Sequence, residues 1–99
     1  MFERLEEIEK RYCQIEQDMA KPDATATMDA YKKLAKEYAD SREIVETHRE
    51  WKEMVSEEEK TSEMLKSETD EEMKALIREE GKALGERKAK LEALLRDKL

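Results

Sequence analysis

A histidine and a tryptophan are the first candidates for a functional site in this chain. His48 and Trp51, the only histidine and the only tryptophan, lie three positions apart in the stretch IVETHREWKEM. A metal site on a helix would place a carboxylate or a second histidine three or four positions from His48, as in the Glu-x-x-His pairs of di-iron bundles. Those positions hold Ile44, Val45, Trp51 and Lys52, none of which is an ordinary ligand. We therefore predict no metal-binding residues and two structural side chains, with Trp51 buried or nearly so and His48 partly buried.

The sequence offers no better candidate for nucleophilic catalysis. Such a site needs a base beside a Ser, Cys or Thr nucleophile and a third group that orients the base. Cys13 and His48 are expected on different helices, and Cys13 is the only cysteine, so a disulfide framework and a thiolate zinc cluster are both excluded. Gly81 and Gly85 lie inside a helical pattern and do not form a phosphate loop. We predict no catalytic residues, no cofactor-binding residues, no cofactor and no independent enzyme activity.

The composition favours long helices. Charged residues make up 47% of the 99 positions and the hydrophobic set 37%, with two glycines and one proline. So few apolar residues cannot fill a thick core, but they can line narrow seams between helices. Disorder is the competing interpretation of such a charged chain, and helical periodicity argues against it.

The charge balance and the termini limit the possible partners. A net charge of −7, with lysines and arginines interleaved among acids, argues against direct nucleic-acid contacts. The start MFERLEEIEK is too acidic for a signal peptide, and no apolar stretch approaches the length of a membrane span. We expect a cytoplasmic protein that contacts other proteins.

Helical periodicity divides the chain into three segments joined by two short connections. Pro22 ends the first segment and moves the residue before it away from helical geometry, and Thr27 can cap the second segment. Thr69 and Glu72 form a capping box for the third. The predicted helices cover about residues 2–20, 28–67 and 70–97.

Each segment carries an apolar stripe at alternating spacings of three and four. On the first helix the stripe consists of Leu5, Ile8, Tyr12, Ile15 and Met19. On the second it consists of Tyr31, Leu34, Tyr38, Ser41, Val45 and His48, followed by Ile44, Trp51, Val55 and Leu65. On the third it consists of Met73, Ile77, Leu84, Leu91 and Leu94 or Leu95, with Glu80 and Arg87 at positions where the seam should be apolar.

Short connections make consecutive helices antiparallel. The sequence therefore predicts an all-α fold, an elongated, coiled-coil-like bundle of three helices with a long middle helix. The two outer helices are expected to overlap along residues 44–51 of the middle one. The Gly81-x-x-x-Gly85 spacing indicates a locally softened helix, with close backbone contact to helix two as the alternative.

The order of several short motifs resembles a known family. KKLAKEYADSREIVETHREWKEM is similar to the helical N-terminal region of bacterial class I peptide chain release factors, most closely the type that reads UAA and UAG. The opening LEEIEKRYCQIEQDMAKPD and the acidic connection ETDEEM before a Glu-rich third helix extend the resemblance over essentially all 99 residues. Gly81 and Gly85 depart from the usual Glu/Leu-rich third helix.

The resemblance implies a role in translation termination. Whole factors of this family recognise stop codons and trigger peptidyl-tRNA hydrolysis on the ribosome, through a Gly-Gly-Gln loop and a Pro-x-Thr element. Neither is found in these 99 residues, because Gly81 and Gly85 are not adjacent and Pro22 is followed by Asp23 and Ala24. The chain is thus expected to be a single helical N-terminal domain, residues 1–99, of a larger factor, without the codon-reading and Gly-Gly-Gln domains. By resemblance, this domain lies toward the stalk base of the large ribosomal subunit and helps to position the factor.

Two hypotheses follow. The first is a noncatalytic module of a termination factor. The second is a free-standing coiled-coil scaffold that binds helical partners or self-associates, suggested by an incompletely covered stripe on helix two between Val55 and Leu65.

Overall fold

The computed structural model describes residues 1–21 and 27–99 and contains three helices. They are α1, Phe2–Ala20, α2, Met28–Ser67, and α3, Glu71–Lys98. Across these two ranges no residue lies in a β-strand. The prediction of an all-α bundle of three helices is confirmed, with boundaries that differ from the expected ones by at most one residue. None of the described helices is long and apolar enough to span a membrane.

The chain forms two compact units. Unit 1 comprises Met1–Glu46 and unit 2 comprises Thr47–Leu99, so the division falls within α2. α2 has 40 residues and, at 1.5 Å per residue, is about 60 Å long.

The helix ends show which capping signals operate. Lys21, at the end of α1, has φ −81° and ψ 137°, the extended geometry expected of a residue before proline. Pro22 itself, and the residues after it up to 26, lie outside the described residues. The Thr27 hydroxyl accepts a hydrogen bond from the Ala30 amide at 3.1 Å, which confirms the predicted cap of α2.

The predicted capping box at the start of α3 is wrong. α3 begins at Glu71, and its N-cap is Asp70, which makes no side-chain cap bond. The Glu68 carboxylate accepts hydrogen bonds from the amides of Thr69 and Asp70, both at 3.1 Å. This carboxylate therefore occupies the Thr69 amide that Glu72 would have bound in a capping box.

In unit 1, α1 packs antiparallel along the first part of α2. Arg11 binds Glu37, while Ile8, one turn earlier in α1, shares a shallow depression with Ser41, one turn later in α2. The buried residues are Leu5, Tyr12 and Ile15 of α1 and Ile44 and Val45 of α2. All five belong to the predicted stripes, whereas Tyr31, also predicted there, is exposed.

In unit 2, α3 packs antiparallel along the second part of α2. Trp51 of α2 binds Glu92 of α3, and further along α2 Glu58 binds Lys88. The buried side chains are His48, Met54, Thr61, Ile77, Leu91 and Leu95. Leu95 rather than Leu94 completes the seam.

Two predictions about the apolar surface of unit 2 need correction. Met73, expected in the seam, is 44% exposed, because it lies in the first turn of α3, where the helix has just emerged from the connection. The stripe on α2 expected to be incompletely covered is largely covered by α3. Met54 and Thr61 are buried, and Val55 and Leu65 are half-buried.

The glycines of α3 contact side chains rather than a neighbouring backbone. A Cβ atom at Gly81 would lie 3.6 Å from Cγ2 of Thr61, and one at Gly85 would lie 3.6 Å from Oε2 of Glu58. These are ordinary van der Waals distances. The geometry does not support the alternative of close backbone contact and leaves room for a methyl group at both positions.

We expect Gly81→Ala to raise the free energy of unfolding by about 1 kcal/mol, because alanine restricts the unfolded chain and favours the helix. The methyl group also gains contact with Thr61. Urea unfolding followed by far-ultraviolet circular dichroism measures the change, and Gly85→Ala is the matched comparison. A lower stability of Gly81→Ala would show that α2 and α3 approach more closely than this distance indicates.

Candidate functional site

His48 and Trp51 form a stacked pair in unit 2. The rings of His48 and Trp51 have centroids 6.0 Å apart and an interplanar angle of 15°. The Trp51 indole N–H donates a hydrogen bond to Oε1 of Glu92 at 3.0 Å. Trp51 thus links α2 to α3, and His48 stacks on its ring.

The predicted order of burial for this pair is wrong. His48 is 1% exposed, although it was expected to be partly buried, and Trp51 is half-buried, although it was expected to be buried. The indole N–H needs a polar partner, and Glu92 supplies it at the edge of the interface, so the ring stays at that edge. The contacts described for the pair are one ring stack and one hydrogen bond, and its purely structural role remains a prediction.

Two ion pairs also join α2 to α3 in unit 2. Arg87 binds Glu50 at 2.6 Å, and Lys88 binds Glu58 at 2.7 Å. The hydrogen bond with Glu58 raises the pKa of the Lys88 ammonium. Arg87, predicted to interrupt the apolar seam, therefore lies at its edge, paired with the opposite helix.

A polar cluster joins α1 to α2 in unit 1. The Tyr12 and Tyr38 rings stack with centroids 4.3 Å apart, and the Tyr38 hydroxyl donates a hydrogen bond to Glu16 at 3.2 Å. Arg11 makes a two-pronged contact with Glu37 at 2.8 and 3.0 Å. The hydrogen bond raises the pKa of Arg11 and lowers that of Glu37. Both side chains of this ion pair are about half exposed, so its contribution to stability is small.

Comparison with known proteins places this helical arrangement in a family. The family model described as PCRF domain matches residues 8–99. The chain belongs to the PCRF domain family. This finding confirms the resemblance to peptide chain release factors that the short motifs indicated.

Curated relatives of this PCRF domain carry the name Peptide chain release factor 1. The relative from Chlorobaculum tepidum is 38% identical over 96 residues, which cover 97% of this chain and 27% of the relative. The relative from Clostridium perfringens is 39% identical over 92 residues, covering 93% and 26% of the two chains. The relative from Dehalococcoides mccartyi is 40% identical over 80 residues, covering 81% and 22%. The chain thus spans about a quarter of the length of these relatives. No solved structure matches it significantly.

The PCRF domain also exposes apolar residues that the stripes did not indicate. Met64 lies beside the predicted α2 stripe and is 53% exposed, and Leu76 of α3 is 58% exposed. A sequence pattern could have revealed them as large apolar residues that fall outside every stripe. Both side chains are therefore available to contact another molecule.

In this PCRF domain we expect Tyr38 to titrate unusually late. A hydrogen bond with Tyr12, burial and the nearby Glu16 carboxylate raise the pKa of Tyr38 from 10.0 to about 12. The folded state thus retains a proton that the unfolded state releases near pH 10. This contribution to stability is complete below pH 10 and is lost as the pH rises through about 12.

The NMR shifts of the Tyr38 ring measure this titration directly. Tyr12→Phe should lower the pKa of Tyr38 more than Glu16→Gln does, because the hydrogen bond with Tyr12 is the largest of the causes. A Tyr38 midpoint near 10 in the unaltered chain would contradict the described cluster.

Proposed function

We propose that this chain is a noncatalytic helical module of a translation termination factor. The observation that carries the proposal is the PCRF family match over residues 8–99, together with relatives named Peptide chain release factor 1. In this proposal the whole factor recognises stop codons and promotes peptidyl-tRNA hydrolysis. Residues 1–99 are its single N-terminal helical domain, and the codon-reading and Gly-Gly-Gln domains belong to other parts of the factor.

The proposed role of the module is to position the factor at the ribosome, in the cytoplasm, near the stalk base of the large subunit. The net charge of −7 favours protein contacts over contacts with RNA phosphates. In the proposal the module contributes no catalytic, cofactor-binding or metal-binding residue of its own.

The reading frame beyond residue 99 tests the identity of the parent factor. We expect it to encode a Gly-Gly-Gln motif, and its absence would overturn the proposal. A termination assay tests the role of the module. The isolated chain should release no peptide from ribosomes stalled at UAA, but in excess it should slow release by the parent factor. An unrelated helical protein of equal charge is the control.

The second candidate is a free-standing coiled-coil scaffold that self-associates. Its specific motivation was an exposed stripe on α2, and α3 covers most of that stripe in unit 2. Sedimentation separates the two candidates, because a scaffold of this kind forms dimers at micromolar concentration and the proposed module remains monomeric.

A further inference from the structure

Three exposed apolar side chains of unit 2 share one flank of the α2–α3 pair. The ion pair between Glu50 and Arg87 identifies this flank. Met64 follows Glu50 by two heptads and Met73 precedes Arg87 by two heptads, so both side chains recur on the same side of their helices. Leu76 precedes Arg87 by about three turns and lies there too. We call these three residues the Met64 patch.

The members of the patch also lie at similar positions along the axes of the two antiparallel helices. Thr61 of α2 faces Gly81 of α3. In an antiparallel pair, Met64 is therefore level with a residue about one turn before Gly81, which is close to Leu76. Met73 lies three residues before Leu76, which is roughly 5 Å toward the start of α3 at 1.5 Å per residue. The exposed fractions are 53% for Met64, 44% for Met73 and 58% for Leu76, so each member contributes exposed apolar area to the patch.

Acidic residues predominate in the sequence around these apolar residues. Residues 57–72, which include the end of α2 and the start of α3, contain eight acids and two lysines. Each of the two lysines forms an ion pair with a neighbouring glutamate of α2. A shallow depression on α3 is lined by Leu76 together with Glu79, Glu80, Lys82, Ala83 and Glu86. The patch thus combines apolar contact area with a strongly negative border.

We propose that the Met64 patch docks a basic amphipathic helix of a partner protein. The partner's apolar side chains contact the patch, and its lysines and arginines meet the surrounding carboxylates. A helix fits because the patch extends over two adjacent antiparallel helices, and methionine side chains adapt to varied apolar surfaces. The negative border disfavours RNA and also a second copy of this chain, whose patch has the same charge. The inference rests on the surface of unit 2 and goes beyond the proposed function.

A synthetic helical peptide with a leucine face and a lysine face is a suitable probe. Fluorescence anisotropy of the labelled peptide should show binding at micromolar concentration that weakens as salt is added. Met64→Ser and Leu76→Ser should each weaken binding by about tenfold. Leu94→Ser is the matched control, because Leu94 is a similarly exposed leucine at 48%, on the same helix and roughly 27 Å from Leu76. Its affinity should remain unchanged.

The alternatives give different results. Equal losses in Leu94→Ser and Leu76→Ser would show unspecific apolar contact, and equal affinities of both variants and the unaltered chain would show attraction by charge alone. Either result would overturn the proposal, as would the absence of binding. Equally strong binding of a scrambled peptide of the same composition would exclude a helical partner. Binding of a single-stranded RNA, or dimers that Met64→Ser dissociates, would identify a different occupant. The substituted side chains are exposed, so unchanged melting temperatures should show that the variants are folded.

Discussion

Replacing Ile15 with alanine should lower the free energy of unfolding by about 3 kcal/mol. Ile15 is 0% exposed and belongs to the α1 stripe in unit 1, where it follows the buried residues Leu5 and Tyr12. Its removal leaves a cavity that the two helices can fill only by shifting against each other. In a domain with so small a core, a loss of this size is a large part of the total stability.

Urea unfolding, followed by far-ultraviolet circular dichroism, measures this loss. Gln17→Ala is the control, because Gln17 is exposed on the same helix and alanine favours the helix at least as well. If Ile15→Ala were as stable as Gln17→Ala, α1 would not be packed on α2 through this stripe.

Replacing Trp51 with alanine should lower the free energy of unfolding by about 2 kcal/mol. The expected cost is less than that of a fully buried tryptophan, because the ring is half-buried. The change removes the stacking contact with His48 and the hydrogen bond to Glu92, so it weakens the α2–α3 interface in unit 2.

Two further variants separate packing from hydrogen bonding. Trp51→Phe retains an aromatic ring near His48 but has no N–H group, and Glu92→Gln retains an oxygen acceptor without the charge. We expect each to cost less than half as much as Trp51→Ala. A loss in Trp51→Phe equal to that in Trp51→Ala would show that the hydrogen bond, rather than the ring, joins the helices.

The helices were predictable because their signals are local. Pro22, Thr27 and the three-four spacing of apolar residues act within a few positions, and the boundaries of all three helices were predicted to within one residue. The buried stripe of α1 followed from the same spacing. The family resemblance was also visible, since motif order along the chain needs no tertiary information.

The failures concern choices between nearby residues. The Thr69 amide donates its hydrogen bond to Glu68 rather than to Glu72. One carboxylate precedes this amide and one follows it, and the sequence pattern does not distinguish between them. His48 is more buried than expected and Trp51 is less buried. The indole N–H of Trp51 binds Glu92, and the position of Glu92 on another helix cannot be predicted from the sequence of α2. The exposure of Met64 depends on which part of the α2 surface α3 covers, and periodicity along α2 alone does not specify this.

The division of the chain within α2 also separates its natural optical reporters. All three tyrosines, Tyr12, Tyr31 and Tyr38, belong to unit 1, whereas Trp51 belongs to unit 2. The ring NMR signals of the tyrosines therefore follow one unit and tryptophan emission follows the other, without any added label. Coincident transitions would show that the helix shared by the units melts as one cooperative element, and separate transitions would show that one half of α2 can unfold while the other stays helical.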